Sequence, residues 1–92
     1  MMKLDGVVAF VTTVEAGSIS AASRRLGLAK SVVSERLAEL ERTLGATLLQ
    51  RSTRQLSLTH GGQTFLPRAQ RILREAEEAA AVALFLLSSD AS

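Results

Sequence analysis

Apolar residues return at helical spacing in four stretches of the chain, and at alternate positions in a short stretch before the last. Val7, Val8, Phe10, Val11 and Val14 make the first helical stretch, entered after a candidate cap at Asp5 and halted at Gly17. Valine is an indifferent helix former, so packing must hold this helix together. Ser18 stands as the next N-cap, its hydroxyl free to accept from an orphan backbone N–H. A second helix runs through Ala21, Ala22 and Leu26 to Gly27, and its small alanines let another helix approach closely. A third starts near Lys30 or Ser31. There Val33, Leu37, Leu40 and Leu44 recur at spacings of four, three and four before Gly45, which predicts a buried stripe.

The stretch "ATLLQRSTRQLSLTHGG" has a different rhythm. Leu48-Leu49 and the alternating Leu56 and Leu58 flank a polar tip, Ser52-Thr53-Arg54, which fits two short strands joined by a basic loop. Thr59 then caps a final helix reaching to about Leu87. Leu66, Ala69, Leu73, Ala76, Ala80, Ala83 and Leu87 form an a/d seam at spacings of three and four, and Phe65, Ile72, Ala79 and Leu86 add a second row seven apart. A partner helix is the expected occupant of Phe65, Leu66, Ala69, Ile72, Leu73, Ala76, Ala80, Ala83 and Leu87. Pro67 lies inside this helix and predicts a lost backbone bond and a bend. The "SSDAS" tail is expected to fray.

The order helix, tight glycine turn, helix, basic hairpin is that of a winged helix-turn-helix, here followed by a long dimerisation helix. In "RRLGLAKSVVSERL", Gly27 lets the third helix cross the second so that its N-terminal half stands clear of the body. Val33 and Leu37 face inward. Ser31, Ser34, Glu35, Ala38 and Arg42 face outward, with Lys30 and Arg36 at the flanks. A helix fits the major groove, and short side chains let its backbone sit deep enough for neighbours to reach base edges. Lys30, Ser31 and Ser34 are the candidate base and phosphate contacts. The N-terminus of the second helix, around Ser18 and Ser20, offers free N–H groups and a positive dipole end to a phosphate. Arg51, Thr53 and Arg54 occupy the wing, where arginines could enter a narrow minor groove.

Charge placement fits this reading. The net charge is +2, but residues 1–60 carry eight Lys/Arg against five acids, and from Arg42 to Arg74 there are six arginines and no acid. Such a distribution suits a polyanion as readily as plain solvent. Absent cysteines exclude disulfides and thiolate metal sites, and a single histidine, His60, excludes a histidine metal cluster, so neither metal nor cofactor is expected. No Trp or Tyr and three Phe argue against stacked single strands as the main ligand. The longest apolar run, "AAAVALFLL", falls far short of the roughly 20 residues of a membrane-spanning helix. The N-terminus lacks the pattern of a signal peptide, and a cytoplasmic protein with no membrane partner is expected.

The run from Phe10 to Gly62 resembles the N-terminal DNA-binding domain of LysR-type transcriptional regulators, and the resemblance extends over residues 4 to about 73. It rests on Phe10…Glu15-x-Gly17-Ser18, Ala22…Leu26, Val33-Ser34, Leu40-Glu41…Leu44-Gly45 and Leu48-Leu49-x-Arg51-x-x-Arg54…Leu58-Thr59-x-x-Gly62. The resemblance implies a bacterial regulator with a winged helix-turn-helix over residues 1–58 and a linker and dimerisation helix over 59–88. It implies a homodimer reading an interrupted palindrome in double-stranded promoter DNA, with positions Lys30, Ser31, Ser34 and Glu35 on bases or phosphates and Arg54 as the wing arginine. A larger C-terminal domain, expected to be absent from this chain, would bind a small-molecule effector, and RNA polymerase would be a partner of the full-length regulator. Lys30 replaces a common Gln, Ser31 a common Pro, and Glu35 a common Arg. A carboxylate at 35 repels phosphate but could accept from a cytosine amino group, while Arg36 returns the positive charge. A different preferred sequence is expected, with the docking unchanged.

Two other functional classes compete with this one. A protein-binding winged helix would share the long seam, but its binding face should show aromatic anchors in place of Ser31, Ser34, Arg51 and Arg54. An enzyme would need an orienting acid and a cleft around His60, which stands at an expected helix start.

Overall fold

Three glycines punctuate the first half of the fold. Gly17, Gly27 and Gly45 have φ of 90°, 65° and 68°, a left-handed backbone that a side chain rarely tolerates, and each closes a helix. The computed structural model describes residues 1–51 and 55–90, apart from the side chains of Arg51, Ser89 and Asp90. The elements are α1 (Leu4–Ala16), α2 (Ile19–Leu26), α3 (Lys30–Leu44), β1 (Leu49–Arg51), β2 (Leu56–Leu58) and α4 (His60–Asp90). The expected mainly helical architecture, a winged helix-turn-helix with a long fourth helix, is the one found. The chain axis turns by 119° between α1 and α2.

The helix ends follow the capping chemistry with two differences. Ser18 caps α2 as expected, its Oγ accepting from the Ala21 N–H at 3.0 Å. Asp5 does not cap α1: the helix begins at Leu4, after Lys3, which makes no side-chain cap bond, and Asp5 sits in the first turn. There its charge still complements the helix dipole. At the far end, α4 continues to Asp90, beyond the expected stop, and it runs unbroken through Pro67.

The core is the meeting of α1, α3 and the start of the hairpin. Val7, Phe10, Val33, Leu37, Leu40 and Leu48 are each at most 2% exposed. Gly6 makes the α1–α3 contact possible, because a Cβ there would lie 3.0 Å from the Leu40 Cβ and 3.2 Å from the Arg36 carbonyl oxygen. Leu44 departs from the predicted stripe. It is 37% exposed, since the Gly45 turn leads the chain away before the last helical residue is covered.

The strands pair antiparallel, Leu49 opposite Leu58 and Arg51 opposite Leu56. Two three-residue strands are marginal alone, so the hairpin depends on its anchors. Among these, α4 presses against β2 at Gly62. A Cβ at that glycine would overlap the Leu48 carbonyl oxygen and crowd Leu58 Cδ2 at 3.0 Å. No single described helix is long and apolar enough to cross a membrane.

Candidate nucleic-acid interface

The orientation of α3 is settled by one residue pair. Val33 is fully buried, while its neighbour Ser34 is half-buried and Lys30, Ser31 and Glu35 are exposed. At about 100° per residue, Ser31, Ser34 and Glu35 lie on the side of the helix away from the stripe of Val33, Leu37 and Leu40, while Lys30 is exposed at the flank as the first residue of the helix. Ala29 precedes the helix without a side-chain cap, and its carbonyl accepts from the Val32 and Val33 N–H groups. No acid lies in the first turn, so the positive end of the α3 dipole remains uncompensated beside Lys30.

The second helix brings its own polar end. Ser18 and Ser20 are half-buried. The Ser18 oxygen is engaged in the cap, which leaves its O–H to donate outward. The Ser20 carbonyl accepts from Ser23 Oγ at 3.0 Å. Arg24 and Arg25, which carried no assignment at the level of sequence, are exposed in the last turn of α2.

Arg36 is not brought together with the serines. It lies about 160° around the helix from Ser34, half-buried in a crevice shared with Lys3, Asp5 and Glu39 beside the start of α1. Its charge is therefore offset from the exposed serine face. Further along, Arg42 donates to Glu39 Oε2 at 2.6 Å. That hydrogen bond, and then the attraction of the guanidinium charge, holds Glu39 below the usual carboxylate range.

The wing is anchored by Glu41, which the sequence pattern did not single out, and by Thr59. Glu41 Oε2 accepts from the Leu48 N–H at 2.6 Å and from the Leu49 N–H at 3.3 Å. Thr59 Oγ accepts from the Gly62 N–H at 3.0 Å, the expected cap of α4, and also donates to the Thr47 carbonyl. A glutamate on a helix reads as a solvated charge; the one available signal was its place at the edge of the apolar stripe, just before the turn. The Arg51 backbone ends β1, while its side chain, Thr53 and Arg54 lie outside the described residues.

The expected dimer seam divides. Ala69 is fully buried in the chain's own core, which removes it from any partner surface, and Leu66 and Leu73 pack against the same core with Phe65 and Ile72. The periodicity is right, but its first half faces inward. Ala76 is half-buried, whereas Ala80, Ala83 and Leu87 are exposed. Phe65 and Ile72 also line an open groove with Pro67 and Arg68 on the outer side of α4. Beyond it Val82, Leu84, Phe85, Leu86 and Leu87 are all more than half exposed. His60 is exposed at the first position of α4. No group of three or more metal-ligating side chains occurs among the described residues.

The sequence model of bacterial regulatory helix-turn-helix proteins of the lysR family matches residues 4–63. An HTH-type transcriptional repressor of Pseudomonas aeruginosa is 45% identical over 78 residues, which are 85% of this chain and 25% of that protein. The HTH-type transcriptional regulator CrgA of Neisseria meningitidis is 49% identical over 71 residues, 77% of this chain and 24% of that one. The structure is similar to the crystal structure of the CbnR DNA-binding domain in complex with DNA, with a TM-score of 0.83 at 33% identity, covering 92% of this chain and 98% of that one. The chain thus spans about a quarter of the length of the curated relatives it matches.

Proposed function

The chain belongs to the LysR family of bacterial regulatory helix-turn-helix proteins, and from that membership we propose that it binds double-stranded promoter DNA through the outward side of α3. The observation that carries this reading is the division of α3 into a buried side at Val33 and an open side of Ser31, Ser34 and Glu35, with Lys30 exposed at its N-terminal flank. The first half of α3 enters the major groove, where lysine and serine reach base edges and phosphates. Ser18 and Ser20 at the start of α2 meet the backbone, and Arg51, Thr53 and Arg54 bring the wing to the adjacent minor groove. Residues 1–58 form the reader and residues 59–88 the linker helix. Arg36 contributes charge at a distance.

The active form is a homodimer on an interrupted palindrome. Because Ala69 is fully buried in the chain's own core while Phe65 and Ile72 keep an edge on the open outer groove, the partner helix meets that outer edge and continues along Ala79 and Leu86, with Ala80, Ala83 and Leu87 beside its exposed end. Two half-sites on one palindrome then act as a single multivalent ligand. The regulator works in the cytoplasm and has no catalytic part. An effector and RNA polymerase enter only through a longer protein.

Selection from random duplexes, followed by affinity measured against salt, tests the proposal. A DNA reader yields a palindromic consensus and loses affinity steeply as salt rises. Enrichment of no sequence, with weak and salt-insensitive binding, would instead favour the protein-binding module. The open side of α3 speaks against that alternative, for it presents no aromatic anchor.

A further inference from the structure

We infer that Glu41 is a positioning residue that sets the wing at a fixed place relative to the reading side of α3. The inference rests on the DNA-binding role just proposed, since it concerns how two of its contact regions are held in register.

Glu41 grips both sides of the turn that leaves α3. Its main-chain carbonyl accepts from the Ala46 N–H at 3.2 Å. Its carboxylate accepts from the two successive N–H groups of Leu48 and Leu49 at 2.6 and 3.3 Å. Leu48 and Leu49 are 2% and 6% exposed, so their side chains enter the core at the point where their backbone is tied to the helix. Leu49 is also the first paired residue of the hairpin, opposite Leu58. The direction in which β1 leaves the body is therefore fixed at the atoms the carboxylate holds.

The tie continues to the last helix. The Leu48 carbonyl accepts from the Thr59 N–H at 3.0 Å, and the Thr59 hydroxyl donates to the Thr47 carbonyl. Glu41 lies seven residues beyond Ser34 on α3, and thus about 20° from it around the axis. The wing is consequently anchored at the edge where the buried stripe meets the side that carries the reading serines. A carboxylate accepting backbone N–H groups makes charge-assisted bonds, stronger than neutral ones, and an amide in its place keeps the shape and an acceptor oxygen but loses the charge.

A mutant cycle with the wing arginine, in the whole chain and on a duplex taken from the selection, tests this. Arg54→Ala is expected to weaken binding about tenfold, and Glu41→Ala to weaken it comparably while helix content stays. The double variant should bind no worse than Arg54→Ala alone, and Glu41→Gln should recover most of the loss. Losses that multiply in the double variant overturn the positioning role. Arg54→Ala binding like wild type overturns the wing reading itself and the positioning role with it. Should Glu41→Ala lose its cooperative melt, the wild-type chain decides. Its Leu48 amide proton, bonded to the carboxylate, should resist exchange with solvent, and a Leu48 amide that exchanges as fast as an open one overturns the anchor.

Discussion

The rings of Phe10 and Phe65 meet with centroids 5.8 Å apart and planes tilted by 38°. One ring belongs to the fully buried side of α1, the other to the second turn of α4. The contact makes the start of the long helix a part of the DNA-binding domain's core, so any movement of that helix is felt by the element on which α3 rests.

Phe65→Ala should therefore destabilise the whole domain. A half-buried ring with an aromatic partner contributes about 2 kcal/mol, which lowers the Tm of a domain this size by roughly 10 °C. Thermal unfolding followed by circular dichroism checks this. A melt unchanged within a degree or two would mean that α4 docks without Phe65.

The dimer should fail at the outward row. Leu86 is 57% exposed in the single chain, and Leu86→Asp places a charge where the partner helix is proposed to lie. Sedimentation should show monomers with a normal melt. Leu73→Asp, by contrast, should lower the melting temperature, because Leu73 packs against the chain's own core. A stable dimer in the Leu86 variant would place the interface elsewhere on α4.

Glu35→Arg should change what is read. Residue 35 is exposed on the open side of α3, where the proposed docking sets a carboxylate to repel phosphate and accept from a donor base edge. Arginine there should raise affinity for any duplex and shift the selected half-site by about 1–3 kcal/mol of discrimination. An identical consensus at identical affinity would remove residue 35 from the groove.

The helices, their glycine stops and the Ser18 cap were legible because each depends on a few neighbouring residues. The hairpin was legible from alternation at Leu56 and Leu58. What sequence periodicity cannot assign is the body that a helical face meets. Leu66, Ala69 and Leu73 share one side of α4 whether that side covers the chain's own α1 or a second copy, and only the fold chooses. Glu41 escaped notice for a related reason, since its partners, the Leu48 and Leu49 N–H groups, are backbone atoms that no residue type announces. Asp5 lies two residues past the true cap position, Lys3, and Leu44 is exposed because it is the last residue of its helix, so at both ends the exact terminus of an element decides capping and burial.

The central claim is that the side of α3 opposite Val33 is the one that touches DNA. Amide chemical shifts of the isotope-labelled chain, followed as a selected duplex is added, test it most directly. The largest changes should fall on Lys30, Ser31, Ser34 and Glu35, with a second group around Ser18 and Ser20. Shifts confined to Val82–Leu87, with Lys30–Glu35 unmoved, would contradict it.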